Sequence, residues 1–374
     1  MAASGGATYT PEPTVSSVAC LKNCAAKKRI QGGSTAKISG QNLAGVTKVV
    51  FKGSGSKSAA KSASVTSRSA SALTVAVPLN AETGPIQAMA SGGVQSAPSK
   101  TVKILPAPPP QSQAQLSPAP GPRDAGAPAL ETAVSAAKWF FGAQRGIVYS
   151  YRLDGSAPAD VTVTLVRQSD GAVIHTWTQS QVAPNAVRSV SWTGAEGGVT
   201  QPEGRYAFRA VVTSGAATAR SAAADDPNRD AFDFYQHFFP VRGTHNYGGP
   251  ADRFGAPRSG HTHQGQDVMA ACGTREVAAQ GGTVVYSGFQ SAAGNYIVIH
   301  GLDGTDNSYM HLAQPSPFSK GDKVFTAQQI GVVGDTGDAV GCHLHFEIWT
   351  APGWYNGGHV IDPLPALKSW DAFS

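Results

Sequence analysis

Charge is scarce in this chain of 374 residues. Only 14% of the residues are Asp, Glu, Lys or Arg, against roughly 25% in an average globular protein. Long apolar runs are also lacking, because no window approaches the roughly 20 consecutive apolar residues that a membrane-spanning helix needs. The sequence therefore predicts no membrane span. Its hydrophobic residues, 41% of the total, suffice for packed cores in two or three domains.

Glycine and proline are abundant, with 43 Gly and 25 Pro in the chain. Residues of these two types favour short strands joined by many turns and disfavour long helices. Coiled-coil and collagen architectures are therefore excluded along with integral membrane proteins.

Acidic residues are nearly absent from the first 105 residues. This part holds 12 Lys and Arg against two acids, Glu12 and Glu82, for a charge of +10, so the remainder carries −5. A basic block of this kind predicts contact with a polyanion, such as nucleic acid, an anionic cell wall or a membrane surface. Solubility alone is the alternative explanation.

Cysteine is rare, with four residues at Cys20, Cys24, Cys272 and Cys342. An even number permits two disulfides and hence an oxidising compartment. Residues 1–30 contain no apolar segment typical of a signal peptide. We therefore expect a mature secreted chain with a new initiator Met, although a cytoplasmic protein would begin in the same way.

The chain divides at a segment rich in proline and alanine, residues 106–128, whose composition indicates an extended linker. Short alternating apolar runs on both sides of it predict antiparallel β-sandwiches. From residue 223 strand-like runs continue and most of the histidines follow, so the chemistry is expected there. The expected fold is all-β, with domains at residues 1–105, 129–222 and 223–374.

Two resemblances concern the first two domains. The first domain resembles the IPT/TIG immunoglobulin-like family in STAKISGQNLAGVTKVVFKG at 34–53, LTVAVP at 73–78 and TGPIQAMASGG at 83–93. The second resembles the end of a FlgD-type immunoglobulin-like domain in SWTGAEGGVTQPEGRYAFRA at 191–210. These resemblances imply two immunoglobulin-like sandwiches ahead of the third region.

Three short segments of the third region bring histidine and carboxylate together. They read GHTHQGQD at 260–267, YMHL at 309–312 and GCHLHFE at 341–347. Side chains at i and i+2 share one face of a strand, so His343 and His345 are expected to point into one site. Imidazole and carboxylate suit Zn²⁺, and three protein ligands with an open fourth position are the catalytic pattern. A hydrogen-bonded structural role is the alternative for any single histidine.

The run from Phe254 to Glu347 resembles the M23 peptidases, the lysostaphin and LytM type of zinc endopeptidase. The matching motifs are HxxxD at 263–267, YxHL at 309–312, HxHFE at 343–347 and a closing IDPL at 361–364. No HExxH motif of the helical zinc proteases is present.

The resemblance implies that His263, Asp267 and His345 bind one Zn²⁺. It directs His343 and His311 towards the bound water and the substrate. His343 is then the expected general base, and His311 is expected to hold the water or stabilise the oxyanion. The two histidines could exchange these roles.

Two further residues, Asn295 and Tyr309, are expected to support the substrate or the ligands. Ordinary strand packing is the alternative for both.

The cysteines near the motifs are expected to pair. A Cys272–Cys342 disulfide would tie the two ligand-bearing segments together, and zinc ligation by these thiolates is the alternative. A local Cys20–Cys24 disulfide is left open.

The M23 resemblance implies a secreted, zinc-dependent endopeptidase that hydrolyses the stem peptide or cross-link of bacterial peptidoglycan. We expect an extracellular or cell-wall-associated monomer that binds peptidoglycan peptides, and also anionic wall polymers through residues 1–105. Neither nucleic acid nor a membrane span is expected. A non-catalytic LytM-type module that binds the wall or regulates other hydrolases is the alternative, and the complete ligand set favours the enzyme.

Overall fold

The computed structural model describes residues 11–25, 28–53, 60–108, 116, 123–221, 226 and 228–374. β-Strands dominate these residues, and the one α-helix among them, α1, spans Leu364–Asp371. The all-β fold class is thereby confirmed. Within the described part of the chain, no helix has the length and apolar character needed to cross a bilayer.

The first β-unit, residues 11–108, curls one sheet around an apolar core. Its strands are β1 (Thr14–Lys22), β2 (Ile30–Gln31), β3 (Thr35–Gln41), β4 (Val46–Phe51), β5 (Lys61–Arg68), β6 (Ala72–Ala76), β7 (Ile86–Ala90) and β8 (Ile104–Leu105). The sheet order is β1-β3-β6-β5-β4-β7, and β2 pairs with β8. Alternation along β3 buries Ile38 and exposes Lys37, as a sheet with one solvated face requires. Its assignment as an immunoglobulin-like sandwich stays a prediction.

The second β-unit, residues 123–235, packs two sheets against one shared core. Its strands are β9 (Ala129–Val134), β10 (Lys138–Phe140), β11 (Ile147–Asp154), β12 (Ala159–Arg167), β13 (Val173–Val182), β14 (Arg188–Trp192), β15 (Ala195–Glu196), β16 (Val199–Thr200), β17 (Gly204–Ser214), β18 (Ala217–Arg220) and β19 (Ala231–Tyr235). One sheet has the order β10-β19-β17-β12-β13 and the other β14-β11-β9. Strand β19 lies beyond the predicted boundary at 222 and nevertheless pairs with β17 and β10.

The third β-unit, residues 236–374, is built on one large sheet. Its strands are β20 (His245–Asn246), β21 (Pro257–Arg258), β22 (His261–Thr262), β23 (Gln266–Ala270), β24 (Arg275–Val277), β25 (Gly282–Gln290), β26 (Gly294–Gly301), β27 (Asp306–Leu312), β28 (Lys323–Val324), β29 (Gln329–Val332), β30 (His343–Trp349) and β31 (Val360–Ile361). The sheet order is β20-β23-β30-β27-β26-β25-β28, with β31 paired to β30. Strands β21 and β22 form a separate hairpin, and β24 pairs with β29.

The first unit lies directly against the third. Arg29 forms an ion pair with Asp322, and the side-chain amide of Gln328 donates to the Pro106 carbonyl at 2.8 Å. Leu105 packs into the apolar core of the third unit. Of the predicted linker at 106–128, residues 109–115 and 117–122 lie outside the described residues, and the predicted division into domains remains a prediction.

One acidic side chain, Glu276 on β24, is enclosed in the third unit. It is fully buried, and neither carboxylate oxygen has a hydrogen-bond partner among the described residues. Burial removes water from the charged form, which raises the pKa of Glu276 well above its ordinary value of 4.5. The folded chain therefore retains a proton that the unfolded chain releases.

Glu276→Gln is expected to stabilise the chain at neutral pH. A folded-state pKa above the unfolded value means that stability falls as pH rises above about 4.5 and recovers as pH falls below it. Gln stays neutral at every pH, so Glu276→Gln removes the cost of protonating the buried carboxyl group, about 1.4 kcal/mol for each pH unit by which the folded-state pKa exceeds 4.5, up to the working pH. The free energy of unfolding at pH 8 should therefore rise. The gain should shrink at pH 4. Urea unfolding at both pH values measures it.

The control for this prediction is Glu12→Gln, which makes the same change at an exposed position. It should alter stability by less than about 0.5 kcal/mol at either pH. A Glu276→Gln gain that is equal at pH 4 and pH 8 would contradict the burial argument.

Candidate active site

Three neighbouring strands of the large sheet carry the histidine and carboxylate motifs. In the register of β23 and β30, Asp267 lies directly opposite His345, and Met310 of β27 lies opposite His345 on the other side. Cross-strand partners share a face, so Asp267 and His345 meet. Alternation along β30 brings His343 and Glu347 to that same face.

A hairpin outside the large sheet supplies the third side chain, His263. Its backbone N–H donates to the Ala256 carbonyl at 2.8 Å, and its Nδ1–H donates to the Arg253 carbonyl at 2.9 Å. The chain then passes close beneath β30 at Gly265, where a Cβ atom would lie 2.5 Å from the Phe346 carbonyl oxygen. Glycine is therefore required between His263 and Asp267.

Three electron-pair donor atoms converge at this point. His263 Nε2 lies 2.9 Å from His345 Nδ1 and 3.1 Å from Asp267 Oδ1, and His345 Nδ1 lies 2.9 Å from the same carboxylate oxygen. The other nitrogen of each ring donates a hydrogen bond elsewhere. His263 Nδ1–H donates to the Arg253 carbonyl, and His345 Nε2–H donates to the Glu347 carboxylate. With both rings neutral, three lone pairs would face each other, so the cluster requires a cation or a proton at its centre.

Protonation of His345 would meet this requirement. Burial opposes the charge on His345, but hydrogen bonds and the charges of Asp267 and Glu347 outweigh burial and raise its pKa to about 9. Burial likewise opposes the Asp267 carboxylate, yet hydrogen bonds from His263 and His345 hold the pKa of Asp267 below its usual range. The cluster therefore attracts positive charge strongly.

A carboxylate beneath the cluster fixes the orientation of His345. The Nε2–H of His345 donates to Glu347 Oε1 at 3.2 Å, and the indole N–H of Trp349 donates to Glu347 Oε2 at 2.7 Å. All three side chains are buried. This chain of hydrogen bonds leaves His345 Nδ1 as the atom that faces His263 and Asp267.

Two further histidines, His343 and His311, border the cluster, and both carry their ring proton on Nδ1. The Nδ1–H of His343 donates to the Gly341 carbonyl at 2.9 Å, and the Nδ1–H of His311 donates to the Thr336 carbonyl at 2.8 Å. Their ring centroids are 4.6 Å apart. Each ring thus presents an Nε2 lone pair, and His343 Nε2 lies 3.7 Å from Asp267 Oδ1. Burial lowers the pKa of His311 to about 4, and the nearby His343 and His345 add to this effect.

A bulge in β27 brings His311 to this face. Tyr309 pairs with Ile297 and Leu312 with Asn295, so two residues of β27 oppose one residue of β26. His311 adopts a φ of +61°, which non-glycine residues rarely do. Without this irregularity, strict alternation would direct His311 to the same side as Tyr309, away from His345.

Asn295 and Tyr309, the two residues predicted to support the substrate or the ligands, lie in different environments. Asn295 lies beside the site, where its side-chain amide donates to the Leu312 carbonyl at 3.2 Å and its backbone N–H donates to Thr336 Oγ1 at 2.9 Å. Tyr309 lies in the apolar core, fully buried, and its hydroxyl accepts a hydrogen bond from the Ala279 N–H at 2.7 Å. Asn295 therefore holds the bulge that carries His311, whereas Tyr309 packs beneath the sheet.

The cysteines form disulfides between Cys272 and Cys342 and between Cys20 and Cys24. The first bridge joins the segment after β23 to the residue that precedes His343. Because these sulfur atoms are bonded to each other, the alternative of zinc ligation by thiolate is excluded.

Sequence reasoning assigned no role to two residues that adjoin the cluster. The guanidinium of Arg258, on the β21–β22 hairpin, lies 3.6 Å from Asp267 Oδ2. Thr336 accepts from His311 through its carbonyl oxygen, and its hydroxyl donates to the Leu312 carbonyl at 2.8 Å. The GDTG turn around Thr336 was the available signal, and Arg258 is identified only by three-dimensional proximity.

The cluster lies within a recognised family domain. Residues 261–363 match the sequence model of the family described as Peptidase family M23, and this span contains His263, Asp267, His311, His343 and His345. Residues 261–363 are an M23 peptidase domain. M23 is a metallopeptidase family, and the M23 domain of this chain contains a His/Asp cluster that could hold a metal ion.

Curated relatives match part of this chain. The chain is 37% identical over 86 residues to peptidoglycan DD-endopeptidase ShyA of Vibrio cholerae, which is 23% of this chain and 20% of that protein. It is 34% identical over 113 residues to glycyl-glycine endopeptidase ALE-1 of Staphylococcus capitis, 30% of each chain. The chain thus spans about a quarter of the length of the curated relatives it matches.

Solved structures also match part of this chain. The catalytic domain of the antimicrobial peptidase lysostaphin from Staphylococcus simulans is 31% identical, with 33% of this chain and 92% of that chain covered at a TM-score of 0.29.

Proposed function

We propose that this chain is a secreted zinc-dependent endopeptidase that hydrolyses peptide bonds in bacterial peptidoglycan. The observation that carries the proposal is the convergence of His263 Nε2, Asp267 Oδ1 and His345 Nδ1 within 3.1 Å of one another. Two histidines with free Nε2 atoms border this cluster, which supports catalysis beyond metal binding.

The donor set fits zinc. Two imidazole nitrogens and one carboxylate oxygen are typical zinc ligands, and three protein ligands leave one position open. A bound cation would satisfy the three converging lone pairs, and Glu347 completes the hydrogen-bonded support that zinc-binding histidines usually have. A bound zinc ion would lower the pKa of its water to about 7 and polarise the scissile carbonyl.

His343 is proposed as the general base. Its Nδ1–H is held by the Gly341 carbonyl, so its Nε2 can accept a proton from the attacking water and later deliver it to the leaving amine.

His311 is proposed to hold the attacking water. Its Nδ1–H is committed to Thr336, so Nε2 accepts a hydrogen bond and cannot donate one while the ring is neutral. A pKa lowered to about 4 keeps the ring neutral at physiological pH. This tautomer favours water positioning over hydrogen-bond donation to an oxyanion.

The choice of substrate is supported by the names of relatives that match part of this chain, since ShyA is named a peptidoglycan DD-endopeptidase and ALE-1 a glycyl-glycine endopeptidase. Two disulfides support an oxidising, extracellular location. The charge of +10 on residues 1–105 supports contact between the first unit and anionic wall polymer. We further propose that the chain acts as a monomer and binds no nucleic acid.

Digestion of purified sacculi tests the proposal. The full chain should release peptide fragments with new amino termini, identified by mass spectrometry, and the fragments should disappear with a chelator and reappear on addition of Zn²⁺. Binding to sacculi without any cleavage would reject the enzyme in favour of a non-catalytic wall-binding module.

Glu347→Gln is expected to weaken zinc binding by about 10–100-fold, the usual cost of losing a carboxylate that supports a histidine ligand. The carboxylate accepts from both His345 and Trp349, and an amide has one oxygen to offer them. Competition with a chromophoric chelator measures the affinity.

The matched control is Glu196→Gln, since Glu196 also bonds a histidine, His175, but lies in the second unit. Its zinc affinity should equal that of the unmodified chain. Equal affinities for both variants would contradict the supporting role of Glu347.

A further inference from the structure

A cleft with a volume of about 1230 Å³ lies where the three β-units meet. The first unit contributes residues around Glu82 and Lys103, the second contributes Lys138, and the third contributes Arg242 and Arg275. None of the residues that line it belongs to the His/Asp cluster, so the cleft is separate from the candidate active site.

The charge of this cleft is strongly unbalanced. Its described lining contains four cations, Lys103, Lys138, Arg242 and Arg275, against one carboxylate, Glu82.

Each lysine of the cleft donates a hydrogen bond to an uncharged oxygen atom. Lys103 Nζ donates to Ser319 Oγ at 3.1 Å, and Lys138 Nζ donates to the Phe373 carbonyl at 2.6 Å. An ammonium group has three N–H donors, so further donors remain on each lysine for a ligand.

The arginines of the cleft adjoin each other. The backbone N–H of Arg242 donates to the backbone carbonyl of Arg275 at 2.9 Å. Burial lowers the pKa of Arg242, and repulsion by Arg275 adds to this against the opposing effect of Asp371. Burial and the nearby Arg29 likewise lower the pKa of Lys103, against the opposing charge of Asp322. An anion in the cleft would relieve this repulsion.

We propose that the cleft binds a phosphate polyanion, a phosphodiester-linked polyol polymer of the cell wall. Guanidinium groups suit phosphate oxygens because they can bind them through two parallel hydrogen bonds. The volume admits several polymer units, and Trp139, Phe140 and Phe238 provide apolar wall for the polyol. The choice of a wall polymer rests on the proposed function, whereas the anion site rests on the charges alone.

Binding of fluorescent poly(glycerol phosphate) to the full chain tests the proposal. Arg242→Gln combined with Arg275→Gln should weaken binding about 30-fold, at roughly fivefold for each cationic side chain that faces an anionic surface. The dependence of log Kd on log salt concentration should fall by about 2, one for each phosphate contact removed. Sacculus cleavage, measured in parallel, should be retained in this variant because neither arginine adjoins the His/Asp cluster.

The matched control is Arg188→Gln combined with Arg209→Gln, which removes the same charge from exposed positions of the second unit outside the cleft. It should weaken binding by less than threefold, and unfolding temperatures verify that both variants fold. Equal losses in the two variants, or no binding at all, would overturn the cleft site. Tighter binding of single-stranded DNA with the same number of phosphates would overturn the choice of a wall polymer. If inorganic phosphate competes at concentrations as low as those of polymer phosphate, the site recognises free phosphate and the proposal of a polymer ligand is wrong.

Because polymer binding is measured without cleavage, the two hypotheses fail separately. A chain that binds the polymer but cleaves no sacculi would retain the cleft site and lose the enzyme, although the natural source of the polyanion would then need a new argument.

Discussion

His343→Ala is expected to lower kcat/KM for peptidoglycan cleavage by about 10²–10⁴-fold, the usual contribution of a general base. Metal content should stay at the level of the unmodified chain, because His343 Nε2 lies 3.7 Å from Asp267 Oδ1 and outside the three converging atoms. Rates on purified sacculi and metal analysis of the same preparations give both values.

Asp267→Ala distinguishes metal binding from base catalysis. It removes one of the converging atoms, so this variant should lose metal and activity together. His261→Ala serves as the matched control. His261 is exposed and its Nδ1–H donates to the Ser259 carbonyl, so its removal should change the rate by less than about twofold. Loss of metal in His343→Ala, or full activity in that variant, would contradict its assignment as the base.

Strand periodicity predicts part of the site from sequence alone. The i, i+2 spacing of His343 and His345 is enough to direct both to one face once a strand is assumed, and Gly265 permits a turn that brings His263 and Asp267 together. His311 is different, because its presence on that face depends on a bulge and a positive φ that no local pattern announces. Only the family motif signalled that residue.

Contacts between distant segments account for what the sequence does not predict about the fold. Strand β19 is assigned to the second unit by pairing with β10 and β17, residues up to almost 100 positions away. Leu105 is apolar, as a core residue should be, yet its sequence neighbourhood does not indicate that it packs in the third unit. Likewise, the sequence does not indicate that Glu276 is buried without a hydrogen-bond partner among the described residues.

Removal of the Cys272–Cys342 disulfide by the double change to Ser is expected to lower the free energy of unfolding by about 4 kcal/mol. The bridge closes a segment with a sequence separation of 70, and the loss of loop entropy in the unfolded chain grows with the logarithm of that length. Because Cys342 immediately precedes His343, cleavage of sacculi should fall as well. Urea unfolding and the sacculus assay measure the two effects.

The other disulfide provides a matched control within the same chain. Cys20 and Cys24 have a sequence separation of four, so the corresponding double change to Ser should cost about 2 kcal/mol by the same entropy relation. That bridge lies in the first unit, away from the histidines, and its loss should leave the rate of cleavage unchanged. A larger loss of stability for the short loop than for the long one would show that native-state contacts outweigh chain entropy. Unchanged cleavage after loss of Cys272–Cys342 would show that β30 holds His343 in place without the bridge.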